Sequence, residues 1–149
     1  MGHDFEKCLE KRKLIKFDAD EQIIRNEMEN AHSDLKESKE EFSRGGYKWA
    51  TVKGYYSMFH AAKALLFRLG YRERGHYCLL VALRELGISL IGARNIDNFE
   101  AAMTLRHDAN YESKFTEIGA EDTIENAEAF IIEVEKAMNK LKSNGEKKG

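Results

Sequence analysis

Apolar residues recur every three or four positions along several long stretches of the chain, and this spacing predicts amphipathic helices. The first stretch begins at a cap-like pair, Asp18 and Glu21, and ends at two consecutive glycines. Its core-facing stripe consists of Ile24, Met28, Ala31, Leu35, Ser38 and Phe42. The second stretch, YKWATVKGYYSMFHAAKALLFRLG, is apolar over so much of its surface that we expect it to be buried centrally or at a subunit contact.

Three further helices are predicted downstream. A short, very apolar helix follows the basic loop in YRERGHYCLLVALRELG, and a longer helix spans NIDNFEAAMTLRHDANY. The last helix begins near a second cap-like pair, Asp122 and Glu125, and keeps its three-four spacing as far as Leu141. No alternating run is long enough to indicate a strand, and the absence of proline favours long helices. The pattern therefore predicts an all-α bundle of about five helices.

The length of the chain, 149 residues, suits one domain with its own core. We divide it into an N-terminal arm or short helix (residues 1–17), a helical bundle (18–142) and a disordered tail (143–149). The net charge of −2, with both signs mixed, disfavours a protein that coats nucleic acid in general. A local basic site remains compatible with this composition.

The apolar runs of the sequence are too short for a membrane span, and the N-terminus lacks the apolar centre of a secretory signal. We therefore expect a cytoplasmic protein that does not engage a membrane. The two cysteines, Cys8 and Cys78, have no CxxC partner, and in the cytoplasm two reduced thiols are expected.

Motifs for metal or covalent catalysis are weak. Glu29 and His32 have the spacing of di-metal bundles, but Glu29 points away from the predicted core, and the similar pair Glu73 and His76 straddles a glycine in a loop. There is no GxSxG elbow and no P-loop, and Cys78 lies in an apolar run. We expect neither a metal nor a cofactor.

The fourth predicted helix carries charge where its apolar stripe should continue. Ile96, Phe99 and Met103 follow the helical spacing, and Arg106 and Asn110 come next on the same face. Three interpretations are open. The stripe continues past the core into water, Arg106 forms an internal ion pair with an acidic neighbour, or the stripe ends at a cleft. In a cleft, the planar guanidinium of Arg106, the amide of Asn110 and the ring and hydroxyl of Tyr111 would suit a nucleotide or an RNA backbone.

Two smaller features carry alternatives. Arg72, Arg74 and His76 form a secondary basic cluster that suits either phosphate binding or a solvated loop. His60 lies in a densely apolar helix, where a hydrogen-bonded core or interface histidine is favoured over a functional one.

The segment from Gly45 to Gly87, which contains YYSMFHAAKALL, together with LRHDANY and ENAEAF further on, resembles the HEPN domain family (higher eukaryotes and prokaryotes nucleotide-binding). The likeness covers residues 20–141 and is greatest to the small stand-alone prokaryotic members. It implies an up-and-down bundle of four or five helices that forms a homodimer. It also implies a minimal nucleotidyltransferase as partner, often in a toxin–antitoxin module.

Many members of that family are metal-independent ribonucleases with an arginine, a polar residue and then a histidine four to six positions after the arginine. By resemblance, Arg106 is the motif arginine, His107 the polar residue and Tyr111 a candidate site of nucleotidylation. No histidine follows in the required window, which reads NYES. An amide such as that of Asn110 cannot serve as a general base.

We therefore expect a nucleotide- or RNA-binding partner protein with weak or no catalysis, in which Arg106, Asn110 and Tyr111 form the site. The alternative is a metal-independent toxin endoribonuclease that uses a displaced base, with His107, His76 and His60 as the candidates.

Overall fold

The computed structural model describes residues 2–107 and 115–148, with side chains described as far as residue 142. In these residues the chain forms seven helices and two short strands, which confirms the predicted all-α bundle. In chain order the elements are α1 (His3–Glu10), β1 (Leu14–Lys16), α2 (Glu21–Ser43), α3 (Tyr47–Arg68), β2 (Tyr71–Glu73), α4 (His76–Leu86), α5 (Ile88–Ile91), α6 (Ala93–His107) and α7 (Glu117–Lys148). None of the helices described combines the length and the apolar character needed to cross a bilayer.

The two long polar-faced helices begin at caps other than those predicted. Asp20, not Asp18, caps α2, because its side chain accepts a hydrogen bond from the Ile23 amide at 2.9 Å. Thr116 caps α7 by accepting from the Gly119 amide at 2.9 Å. Asp122 therefore lies inside α7 rather than at its start. Several cap-forming residues precede each helix, and only the one that reaches a first-turn amide defines the end.

Helix α3 occupies the centre of the bundle, between α2, α6 and α7. Most of its apolar positions are covered within a single chain, with Tyr55, Met58, Ala62 and Leu65 fully buried, whereas Trp49 near its start is exposed. Of the two settings predicted for this helix, central burial is therefore the one observed. Gly54 permits this packing, because a Cβ at that position would lie 2.9 Å from Cγ2 of Thr123 on α7.

The N-terminal residues, whose placement the sequence left open, fold back onto the bundle. Helix α1 packs on α4 and buries Phe5, while β1 buries Leu14 and pairs with β2 in an antiparallel ladder. The ladder places Leu14 opposite Glu73 and Ile15 opposite Arg72. These three-residue strands were not predicted, because neither is long enough to show an alternating pattern. At the other end, α7 continues through Lys148, beyond the tail boundary proposed at residue 142.

Cys8 and Cys78 form a disulfide, so the expectation of two reduced thiols is wrong. Seventy positions separate them in the sequence, but the docking of α1 onto α4 brings their Cα atoms to 5.9 Å. Pairing of distant cysteines depends on tertiary packing, which the local sequence around each thiol does not reveal. The bond ties the N-terminal helix to the beginning of α4.

We expect loss of this disulfide to destabilise the fold. A cross-link that closes a loop of this size restricts the unfolded chain and contributes about 4 kcal/mol in the chain-entropy model. Replacing both cysteines by alanine, or adding a reductant, should therefore lower the midpoint of urea unfolding. The double variant should be insensitive to reductant. A wild-type protein whose unfolding midpoint is the same with and without reductant would contradict the assignment.

Candidate functional site

Arg106 lies in the last turn of α6 and is partly buried against aromatic side chains of α3. Its Nη2 atom donates a hydrogen bond to the Tyr56 hydroxyl at 2.7 Å. Its guanidinium carbon lies 5.4 Å from the centroid of the Tyr56 ring and 6.0 Å from that of Tyr55, within the range of cation–π attraction. No carboxylate forms an ion pair with it in the part of the chain that the structure describes. Among the described residues, two rings and one neutral hydroxyl hold the cation.

His76, the first residue of α4, is stacked on Phe59 with ring centroids 4.5 Å apart and an interplanar angle of 17°. Burial lowers the pKa of His76, and the positive charges of Arg106 and Lys63 lower it further. The ring is therefore neutral at neutral pH.

The Tyr55 hydroxyl fixes the tautomer of this neutral ring. Tyr55 is fully buried, and burial raises the pKa of its phenol, which keeps the proton on the oxygen. That hydroxyl contacts His76 Nδ1 and has no other acceptor among the residues described. We assign this hydroxyl as the donor to Nδ1, which places the remaining ring proton on Nε2. His76 thus presents an N–H donor rather than a basic nitrogen.

Arg106 and His76 line one cleft of about 380 Å³ between the end of α6 and the start of α4. The other lining residues in the described part of the chain are Tyr77, Met103, Thr104 and His107. Most of the wall is carbon, and Arg106 contributes a guanidinium to it beside the neutral ring of His76. A cleft with apolar walls and a cationic donor suits a planar ring that carries an anionic group.

The structure tests the predicted site only in part. Arg106 and His107 lie on the cleft, with His107 exposed at the end of α6, whereas Asn110 and Tyr111 fall outside the described residues. The secondary basic cluster is not a single site: Arg72 on β2 and Arg74 just after it are exposed, whereas His76 lines the cleft. The end of β2 and the turn at Gly75 separate the two arginines from His76. Their closeness in the sequence does not reveal this separation.

Tyr55 and Tyr56 are the functional-site residues that sequence reasoning assigned elsewhere, to a core or a dimer contact. They are indeed packed in the core, but their hydroxyls reach out of it to His76 and Arg106. The available signal was the adjacent tyrosine pair in an otherwise apolar helix. A buried tyrosine hydroxyl needs a partner, and two of them on one helix indicate polar groups nearby.

His60 lies outside the cleft. Its Nδ1 donates to Glu27 at 2.6 Å, and its Nε2 lies 3.5 Å from Asp34. Lys63 bridges from Glu27, at 3.8 Å, to Glu73, at 3.7 Å. Burial raises the pKa of Glu73, and Lys63 opposes that rise. These contacts confirm the prediction of a hydrogen-bonded histidine, and they remove His60 from the candidates for a displaced base.

A larger groove of about 460 Å³ lies between α2 and α7, and four of its charged or ionisable side chains are paired with one another. Arg68 is bonded to Glu21, and His32 lies 3.2 Å from Glu135. No group of three or more histidine, cysteine, aspartate or glutamate side chains is arranged to hold a metal in the residues described. The smaller cleft at Arg106 is therefore the better candidate for a ligand site.

Comparisons with known proteins agree with this architecture. Residues 24–142 match the sequence model of the HEPN domain. The chain is 30% identical over 113 residues to a "UPF0332 protein" of Archaeoglobus fulgidus, covering 71% of this chain and 87% of the relative. It is also 28% identical over 120 residues to "Putative toxin MJ0605" of Methanocaldococcus jannaschii, covering 76% of this chain and 87% of that protein. The match to the domain spans α2 to α7, the helices that build the bundle and carry Arg106, and the chain belongs to the HEPN domain family.

Proposed function

We propose that this protein is a toxin-like HEPN module that binds nucleotide or RNA phosphate in the Arg106 cleft, with weak or no catalysis of its own. One observation carries the proposal. Arg106 lies at the edge of a cleft with mostly apolar walls, where the Tyr56 hydroxyl and two aromatic rings hold it. It forms no ion pair with a carboxylate among the described residues. A cation held this way can meet an anion without first breaking an ion pair.

The toxin-like assignment is supported by the family and by the name of the Methanocaldococcus relative. We further propose a homodimer and a minimal nucleotidyltransferase as partner, which the resemblance implies. The apolar surface of α3 gives the dimer little support, because all of it except Trp49 and a few half-buried residues is covered within one chain. The dimer is proposed instead because it would bring two Arg106 clefts together, where phosphate would offset the repulsion between them.

Ribonuclease activity with His76 as a displaced base is the second candidate, because His76 and Arg106 share one cleft. The hydrogen-bond arrangement argues against it. The Tyr55 hydroxyl occupies Nδ1, and the proton on Nε2 leaves no free ring nitrogen to accept one from a ribose hydroxyl. A donor at Nε2 would instead bind a phosphate oxygen. His107 remains exposed on the cleft without such a constraint.

We expect Arg106→Leu to weaken binding of adenosine monophosphate about tenfold to a hundredfold, since a charge-assisted hydrogen bond is worth roughly 1.5–3 kcal/mol. The stability of the variant should change by less than about 1 kcal/mol, because the exposed side of Tyr56 can bond to water. Isothermal titration and urea unfolding measure the two quantities. Arg84→Leu removes a charge paired to Asp97 and Glu100 and serves as the control. Unchanged affinity together with a loss of several kcal/mol would make Arg106 structural.

The titration of His76 provides a second prediction. Its pKa should lie below the ordinary 6.5, and Arg106→Gln should raise it, because that change removes one of the charges that lower it while keeping the site polar. Because the folded pKa is below the unfolded one, the stability contributed by the neutral ring is lost as the pH falls through 6.5. Ring-proton NMR follows the titration, and ¹⁵N shifts report the tautomer. Arg84→Gln should leave both unchanged, and a His76 pKa at or above 6.5 would refute the description of the cleft.

Catalysis gives a third prediction, which separates the two candidate functions. Purified protein with a chelator present should cleave RNA no faster than the Arg106→Leu and His76→Gln variants, and expression should not arrest bacterial growth. The assay follows a labelled RNA on a denaturing gel. Cleavage that disappears in both variants but survives in His60→Gln would establish the ribonuclease and overturn the binding-only account.

A further inference from the structure

The N-terminal segment places a group of cations beside the Arg106 cleft. Strand β1 is preceded by Lys11, Arg12 and Lys13, and the Arg74 amide donates to the Lys13 carbonyl at 2.9 Å, which continues the ladder with β2. These side chains are exposed, as are Arg72 on the second strand and Arg74 just after it. The whole chain has a net charge of −2, so this is a local concentration of positive charge on an acidic protein.

Three of the cations line a second cavity of about 230 Å³, which we term the lysine cavity. Its cationic lining consists of Lys7, Lys11 and Lys13, its acidic lining is Asp4, and its remaining wall is the Cys8–Cys78 disulfide with Tyr77. None of the three lysines forms an ion pair in residues 2–107 and 115–142, in contrast to Lys39 and Lys53 on the opposite side of the bundle. The lysine cavity is therefore a built concavity with a surplus of donors.

Tyr77 lines both the lysine cavity and the Arg106 cleft. The residue is 60% exposed, although it is large and partly apolar. An exposed aromatic ring between two cation-lined cavities is the arrangement by which single-stranded nucleic acid is held. The bases stack on rings while the backbone follows the positive charge.

The turn at Arg12 adds a further cation to this surface. Arg12 has φ of 58°, the left-handed conformation that glycine or asparagine usually adopts after a helix. An arginine in this conformation has a conformational cost that glycine would avoid. The sequence nevertheless keeps a cation at this turn, next to the lysines of the cavity.

We propose that the lysine cavity is a second phosphate subsite and that Tyr77 is the stacking platform between it and the Arg106 cleft. The ligand is then an unpaired polynucleotide strand rather than a mononucleotide. This inference rests on the proposed function, because it extends the strand from a phosphate at Arg106. A duplex is excluded from the arrangement, since its paired bases cannot leave their stack to lie on Tyr77 without losing their own stacking.

The test compares a fluorescein-labelled octa-adenylate, its duplex with the complement, and adenosine monophosphate. We expect the single strand to bind at least about tenfold tighter than either of the others. Tyr77→Ala should lose about tenfold in affinity for the strand, and Tyr77→Phe should retain it, because the ring provides the contact. In Lys11→Gln/Lys13→Gln the slope of log K against log salt should fall by about 1.4, the value for two lost phosphate contacts.

The matched control is Lys36→Gln/Lys140→Gln, which removes the same charge from exposed positions on α2 and α7 that line neither cavity. The control should bind with the slope and affinity of the wild type. Wild-type binding by the Lys11→Gln/Lys13→Gln variant overturns the second subsite. Equal competition by polyglutamate, unaffected by Tyr77→Ala, also overturns it and indicates an acidic protein partner instead.

The two proposals fail in different ways. If adenosine monophosphate binding requires Arg106 and strand binding ignores Lys11, Lys13 and Tyr77, the proposed function stands and the extended site is wrong. If strand binding requires the lysines but Arg106→Leu changes nothing, the lysine cavity stands as a site and the Arg106 cleft is wrong. If neither ligand binds, both are wrong.

Discussion

The polar side chains that α3 carries into the interior must find their partners inside the protein, and the core and the candidate site both depend on this requirement. Ser57 donates to the Gly54 carbonyl at 2.6 Å, and His60 is held between two carboxylates. Tyr55 and Tyr56 find their partners on other helices. The Tyr55 hydroxyl contacts His76 on α4, and the Tyr56 hydroxyl accepts a hydrogen bond from Arg106 on α6. The hydroxyls on this face of the central helix are therefore hydrogen-bonded to a cation and to a neutral histidine at the edge of a cleft.

This pairing explains why α6 turns an arginine inward at its end. Up to Met103 the helix packs apolar residues against the core, and one turn later Arg106 lies against the rings of Tyr55 and Tyr56. A guanidinium stacks on rings and donates to a hydroxyl at the same time, which neither leucine nor lysine does equally well. The disulfide adds a second layer, since it fixes α1 beside Tyr77 and so keeps the N-terminal lysines next to the cleft.

Features that follow from three-four spacing along long helices could be predicted from the sequence, and features that depend on contacts between distant residues could not. The stripe of α2, the central position of α3 and the inward direction of Arg106 follow from three-four spacing, and the family resemblance is confirmed. The disulfide, the two-stranded ladder and the second cation-lined cavity join residues about sixty to seventy positions apart, and nothing near either partner signals the other. The helix caps were misplaced by a few residues, because several side chains near each start can accept a hydrogen bond from a first-turn amide.

The most direct test of the account is a titration of ¹⁵N-labelled protein with adenosine monophosphate, followed by NMR of backbone amides and arginine side chains. We predict that the largest shift changes occur at the Arg106 Nε–H, the His76 ring and the Tyr77 amide. The signals of Arg25 and Met138, which line the groove between α2 and α7, should remain unchanged. Shift changes that concentrate in that groove, or no change at Arg106 at saturating nucleotide, would contradict the claim that Arg106 is turned inward to meet an anion.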